Sequence, residues 1–261
     1  MSSTVLCIEK IRKNLANKSL HNLDIFMYES TDSTNTRAKL YAETEPFCKK
    51  AVFIAKEQTA GRGRLGKTFD SKAGGGIYIS FLFGEKAAVS PSLITAKAAV
   101  KVCRVLEEVS TAECQIKWVN DIYSDGKKLS GILCEGKSNS YGELLYHIVG
   151  IGINLYSRHF PEEIKDIAVS IEDITGESVD INLLAAKLID SFFDSDAELP
   201  FMDEYRRRSN LIGKNVTVKK LSGEVFESEA IEISDDASLV VKKSDGTRES
   251  LISAEVSIRL E

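Results

Sequence analysis

The sequence predicts an α+β fold, with a mixed β-sheet flanked by helices over residues 1–210 and a small all-β barrel over residues 211–261. Two observations carry that expectation. Apolar runs such as Ala51–Lys56 (AVFIAK) and Gly76–Phe83 (GIYISFLF) have the length and alternation of strands, and between and after them lie segments of helical spacing. After Asn210 the texture changes to short alternating runs (NVTVKK, GEVFESEAIEI, SLVVKK, TRESLI, VSIRL) separated by turn residues. At 261 residues, with no internal repeat or flexible linker, the chain has room for one large domain and one small one.

The elements follow in order. Val5, Ile8, Ile11 and Leu15 recur at helical spacing, predicting a first helix over residues 4–17. Asp24–Glu29 reads as a short strand, and Asp32 or Ser33 caps a helix over Asn35–Glu43. A long loop from Glu57 to Gly75 separates the strands Ala51–Lys56 and Gly76–Phe83. Pro91 opens a helix that ends near Ser110 and turns Leu93, Val100 and Leu106 to the core. Strands Gln115–Val119 and Ile122–Ser124 lead to Ser124-Asp125-Gly126-Lys127, where Asp-Gly favours the positive dihedrals of a hairpin. Leu129–Glu135 and Leu144–Leu155 follow as strands. Gly150 and Gly152 would weaken the second unless something approaches its backbone closely. Helices over Ile181–Phe193 and up to Arg208 complete the larger domain.

Composition narrows the function classes. Hydrophobic residues make up 43% and charged residues 28%, as in an ordinary globular protein. No apolar run is long enough for a membrane helix, and the first residues lack a signal-peptide pattern, so a cytoplasmic protein with no membrane partner is expected. Cys7, Cys48, Cys103, Cys114 and Cys134 are widely spaced, which suits free thiols. His21, His147 and His159 are too scattered for a metal cluster. A net charge of −5 argues against general nucleic-acid binding. Yet Lys56–Lys72 carries five basic residues against two acidic ones, pointing to a small anionic ligand.

That basic segment is the most informative. In Lys56–Ser80, KEQTAGRGRLGKTFDSKAGGGIYIS, Gly61, Gly63 and Gly66 allow tight turns that aim N–H groups at an anion. Arg62 and Arg64 alternate with them and can grip phosphate or carboxylate oxygens bidentately. The spacing fits neither a Walker A loop nor a dinucleotide fingerprint.

The segment resembles the signature loop of biotin protein ligases, and further segments agree in order. Ser30–Arg37 (STDSTNTR) is similar to that family's D-S-T-N element, and Lys117–Asp121 (KWVND) to its K-W-P-N-D. Lys128–Glu135 (KLSGILCE) resembles its K-L-x-G-I-L-x-E, and Val149–Leu155 (VGIGINL) its G-x-G-I-N strand. The match runs from about Phe26 to Leu155. The resemblance implies a class II synthetase-like catalytic domain with an SH3-like barrel. It also implies activation of biotin with ATP and Mg2+ to biotinyl-5'-AMP, then transfer to one lysine of the apo-biotin carboxyl carrier domain of a carboxylase.

Residue roles follow from the same resemblance. Biotin's ureido ring needs a few donors and acceptors in an apolar slot, which Ser33, Thr34, Asn35 and Gln58 would supply with Gly61, Arg62, Gly63 and Arg64. On chemistry alone Ser33 and Thr34 serve equally as helix caps. Gly131 would admit the valeryl arm, though a strand glycine also marks a bulge. Lys128, with Arg62 and Arg64, would meet negative charge developing during adenylation. Lys117, Asn120 and Asp121 would bind nucleotide phosphates, with Asp121 on Mg2+ or else a turn residue. Asn154 would contact adenosine, and Phe69, where the family has Trp, would cover adenine. Trp118 reads as core.

Val119 replaces the family's proline, and Ser234-Asp235-Asp236-Ala237-Ser238 replaces a glycine-rich turn in the barrel. Only about 25 residues precede Phe26, too few for a DNA-binding module of ~60 residues, so no DNA partner is expected. Exposed sheet edges would permit a homodimer. Two other functions compete with this one, a lipoate-type acyl-protein ligase and a non-catalytic biotin sensor.

Overall fold

A computed structural model describes residues 5–45, 50–84, 90–141, 143–157, 160–194 and 200–258. Cys48, His159 and the last residues of the VSIRL run lie outside the described residues. Seven strands form one sheet: β1 (Asp24–Tyr28), β2 (Lys50–Ala55), β3 (Gly76–Phe83), β4 (Gln115–Lys117), β5 (Asp121–Ser124), β6 (Lys127–Ser138) and β7 (Leu144–Asn154). Their order is β1-β2-β3-β7-β6-β5-β4. The β1–β2 pair is parallel and the other pairs antiparallel, so the sheet is mixed, as the sequence predicts.

Side-chain alternation sorts the two faces. Val52, Ile54 and Phe81 enter the main core under α3 (Pro91–Val109) and α5 (Ile181–Phe193). There Phe81 stacks on Phe192 with ring centroids 4.4 Å apart. Ala51, Phe53 and Leu82 point the other way, to a smaller cluster under α2 (Thr34–Thr44). Pro91 occupies the first turn of α3, where its missing N–H costs nothing, and Asp180 caps α5 by accepting from the amides of Asn182 and Leu183. α1 (Ile8–Asn14) is shorter than expected because Leu15 is already extended. A five-residue helix, α4 (Ile171–Thr175), has a capping box between Ser170 and Asp173.

Asp125 and Gly126 have φ of 51° and 74°, the hairpin turn expected between β5 and β6. β4 stops at Lys117 rather than Val119, because Trp118–Asn120 leave the sheet. The Trp118–Val119 peptide is cis.

The second unit is a five-stranded antiparallel sheet of order β11-β10-β9-β8-β12. Its strands are β8 (Asn215–Lys220), β9 (Val225–Ile233), β10 (Leu239–Lys243), β11 (Arg248–Leu251) and β12 (Ala254–Ile258). α6 (Phe201–Arg208) leads into it. The fully buried Tyr205 donates its hydroxyl to Val119 O at 2.9 Å, and Arg206 Nε donates to Ile233 O at 2.7 Å. Trp118 Nε1 donates to Ala237 O at 2.8 Å, so the indole ties the edge of the large sheet to the barrel. Among the described residues, no helix is long and apolar enough to cross a membrane.

Candidate active site

One cavity collects nearly all the residues singled out in the sequence. It opens on the α2 face of the sheet, between the N-terminus of α2, the strands β6 and β7, the glycine–arginine loop and β12 of the barrel. Ser33, Thr34, Asn35, Gln58, Arg62, Gly63, Arg64, Phe69, Lys117, Asn120, Asp121, Lys128 and Gly131 all line it; Gly61 and Asn154 do not.

The loop folds back on itself. Gly63 N donates to Lys67 O at 2.7 Å and Phe69 N to Gly61 O at 3.0 Å. Leu65 and Gly66 turn the chain with φ of 56° and 76°. Gly61 is required by close approach, since a Cβ there would lie 2.4 Å from Phe69 O. Arg62 Nη2 pairs with Glu135 Oε2 at 3.0 Å. Arg64 reaches across both units, donating to Asn120 Oδ1 at 3.2 Å and to Ser253 Oγ at 3.0 Å. Burial lowers the Arg64 pKa and the nearby Asp121 carboxylate opposes that. Lys67 pairs with Glu255 on β12, closing the mouth.

Polar side chains line the α2 end. Gln58 Oε1 accepts from Thr34 N at 2.8 Å and lies 3.1 Å from Thr34 Oγ1, and Gln58 Nε2 donates to Ser71 Oγ at 2.9 Å. The fully buried Ser80 hydroxyl lies 2.7 Å from Thr34 Oγ1 and 2.6 Å from Asn35 Oδ1. Asn35 Nδ2 donates to Glu135 Oε2 at 2.7 Å. Ser33 occupies the N-cap position of α2 without a side-chain capping bond, so capping does not occupy its hydroxyl.

The strand glycines form a floor. Gly131 pairs with Gly152 across β6 and β7. The Phe69 ring lies on both, 2.4 Å from where a Cβ of Gly152 would be and 3.1 Å from that of Gly131. Gly150 makes the same allowance for Asn35, whose Oδ1 is 2.1 Å from its would-be Cβ. Phe69 also meets Tyr78 edge-on, and Lys128 Nζ sits 5.9 Å from its centroid. Phe69 therefore lies on the glycine floor, beside Lys128.

At the opposite end Lys128 Nζ pairs with Asp121 Oδ1 at 2.7 Å. Lys117 Nζ lies 5.3 Å from the Tyr123 centroid and 3.4 Å from its hydroxyl. Burial lowers the Lys117 pKa, with Asp121 opposing. Asn120 is doubly tied to Ile132, through Nδ2 to the carbonyl at 2.9 Å and through its own carbonyl from the amide at 3.0 Å. Asn154 departs from expectation. Its amide donates to Lys128 O and Val169 O, binding β7 to the segment before α4, and it does not line the cavity.

Sequence reading missed Ser71, Ser80, Ser253 and Glu255, and gave Glu135 no role. Ser80, Glu135, Ser253 and Glu255 carry no local signal, because they meet these partners across long stretches of chain, and Ser71 meets Gln58 and Phe69 within one loop that shows no regular period. Among the described residues no group of three or more His, Cys, Asp and Glu side chains could hold a metal. A hard cation carried in on phosphate oxygens needs no such cage, and the Asp121 carboxylate in the cavity suits it.

Residues 27–154 match the biotin/lipoate A/B protein ligase family and residues 211–259 the biotin protein ligase C terminal domain. The chain is 30% identical over 221 residues to the biotin–[acetyl-CoA-carboxylase] ligase of Mycobacterium tuberculosis, a match covering 80% of this chain and 79% of that protein. It is 30% identical over 216 residues to the bifunctional ligase/repressor BirA of Bacillus subtilis, covering 79% of this chain and 66% of the relative. The chain thus spans just under two thirds of that relative's length. Among solved structures, the biotin protein ligase from Aquifex aeolicus in complex with biotin and ATP superposes with a TM-score of 0.72. That pair is 28% identical, and the match covers 91% of this chain and 99% of the other.

Proposed function

The chain belongs to the biotin/lipoate A/B protein ligase family, and from that premise we propose that it is a biotin–protein ligase. It would join biotin to ATP as biotinyl-5'-AMP and pass the acyl group to a lysine of a carboxylase carrier domain, in the cytoplasm and without DNA. One observation carries this reading. A polar end fit for a urea, a glycine floor fit for an alkyl arm and a cluster of cations fit for phosphates lie in sequence along one cavity.

In the first step the biotin carboxylate attacks the α-phosphorus and pyrophosphate leaves. Lys128 sits between the glycine floor and Asp121, where carboxylate and α-phosphate would meet, and its ammonium opposes the charge that builds there. Arg62, Arg64 and Lys117 would offset the remaining phosphate charge. Magnesium enters as part of the nucleotide substrate and supplies charge neutralisation; Asp121 is the carboxylate that would hold it. Asn120 orients Arg64.

In the second step the lysine amine attacks the acyl carbon and AMP leaves. The loop from Arg62 to Lys72, anchored on Ser253 and Glu255, would cover the mixed anhydride and exclude water. We assign Phe69 to the acyl arm and withdraw Asn154 from direct nucleotide contact.

The deciding experiment incubates the protein with biotin, MgATP and an apo-carrier domain, then measures the intact mass of the carrier. A gain of one biotinyl group is expected, and an unmodified carrier contradicts the proposal. Calorimetry with biotin against lipoate separates the two acyl classes. Lys128→Ala should lower biotin-dependent pyrophosphate exchange by about 10²–10³ while leaving the fold intact. Biotin binding without pyrophosphate exchange would mark a non-catalytic sensor.

A further inference from the structure

A continuous run of hydrogen bonds leaves the polar end of the cavity and ends on Glu135, a residue outside the cavity wall. From the ligand side it passes through Thr34, Ser80 and Asn35 to the Glu135 carboxylate, with contacts of 2.7, 2.6 and 2.7 Å. Ser80 is fully buried and off the cavity wall, so its hydrogen must be placed within the run itself.

The shortest contacts select one placement. Asn35 has two acceptors on one side, Glu135 Oε2 at 2.7 Å and Leu133 O at 3.3 Å, so its NH2 faces them and its oxygen faces Ser80. Both partners only accept, and the Glu135 carboxylate, paired with Arg62, makes the shorter, charge-assisted contact that does most to hold the amide in that sense. Asn35 Oδ1 then takes the Ser80 proton across the 2.6 Å contact. Having given its only proton away, Ser80 meets Thr34 at 2.7 Å as an acceptor, so the Thr34 hydroxyl donates to it. Two hydroxyl hydrogens serve three contacts, so one contact carries none; leaving the 3.1 Å Thr34–Gln58 contact bare costs less than leaving two lone pairs facing each other across the 2.7 Å Thr34–Ser80 contact. Gln58 is fixed as well. Its oxygen accepts from Thr34 N, and its NH2 faces Ser71, whose own proton goes to Phe69 O at 2.9 Å.

We propose that Glu135 is a positioning residue that sets the polarity of this run, so that Thr34 Oγ1 and Gln58 Oε1 both face the ligand as acceptors and select a cyclic urea by its N–H. The inference rests on the ligase reading above and deepens it. A neutral, freely rotating Thr34 hydroxyl would serve a donor or an acceptor; a committed one accepts only N–H. Such a site rejects an isostere that lacks the hydrogen, because a buried acceptor then faces an acceptor.

The test compares biotin with its two cyclic carbamate isosteres, each with one ring N–H replaced by oxygen. Affinities are measured by calorimetry and turnover by pyrophosphate exchange, on the wild type and on Glu135→Ala, Glu135→Gln and Ser80→Ala, with a thermal melt of each. For the isostere whose oxygen faces Thr34, wild-type discrimination should exceed about tenfold. It should shrink by about tenfold in Ser80→Ala and Glu135→Ala, mainly through weaker biotin binding, with kcat within about twofold in Ser80→Ala, which keeps the Arg62–Glu135 pair. Glu135→Gln keeps an acceptor for Asn35 but loses the Arg62 pair, and should hold the ratio near wild type. Should Ser80→Ala not fold, Glu135→Ala, a half-exposed site, carries the test alone. Unchanged discrimination in the folded variants overturns the inference and leaves the ligase reading standing. A wild type that binds no biotin sinks both.

Discussion

A single methyl group at Gly152 would collide with the Phe69 ring, since its carbon would lie 2.4 Å from Cε1. Gly152→Ala therefore pushes the ring into the slot and should weaken biotin binding by roughly tenfold, measured by calorimetry. A second residue governs acid sensitivity. His147 stacks on Phe83 with centroids 4.6 Å apart, and burial pulls its pKa from 6.5 down to about 4. Between those values the unfolded chain binds a proton that the folded chain does not. Its contribution to stability is thus full above pH 6.5 and declines as pH falls towards 4. His147→Leu should reduce the stability difference between pH 7 and pH 5 by about 2 kcal/mol, read from urea unfolding. An unchanged pH dependence would contradict that assignment.

The glycine–arginine loop is the element on which retention of an activated acyl group depends. Arg62→Ala removes the Glu135 pair and should speed escape of biotinyl-AMP, lowering kcat/KM; quench-flow retention equal to wild type would remove that role. The Lys67–Glu255 pair is half-exposed, so its value lies in placing the loop rather than in stability. At this scale the sequence is legible where the signal is local. The strands Gly76–Phe83 and Asn215–Lys220 are read from alternation, and the Asp125-Gly126 hairpin from turn chemistry. Thr34, Gln58, Arg62 and Lys128 were read through their motifs. α4 escaped notice because five residues are too few to display a helical period, although Ser170 and Asp173 stand at capping-box spacing. The structural tie made by Asn154 was not legible, because one of its partners, Val169, is fixed only by the fold. Ser80 looked like one more strand residue, since its partners lie 45 and 46 positions away.

The two units of the molecule share one wall of the cavity, so their junction bears on stability and on the site together. Tyr205 is fully buried and its hydroxyl meets Val119 O, in the segment between β4 and β5 that also carries Asn120 and Asp121. Tyr205→Phe leaves that buried carbonyl without this donor and should cost about 1–3 kcal/mol in urea unfolding. It should also raise the KM for MgATP, because Asn120 and Asp121 lose a neighbouring anchor. A variant with unaltered stability would show that the junction is held by its apolar packing alone.

The junction also supplies its own optical probe. Trp118 is the only tryptophan in the chain, and it borders the cavity while its indole N–H is held by the barrel carbonyl of Ala237. Intrinsic emission, excited at the red edge of tyrosine absorption, should be blue-shifted in the native protein. It should move to longer wavelength when the barrel lifts away, and change in intensity when a nucleotide fills the space beside the indole. Ligand titration and inter-unit separation can therefore be followed in real time on unlabelled protein.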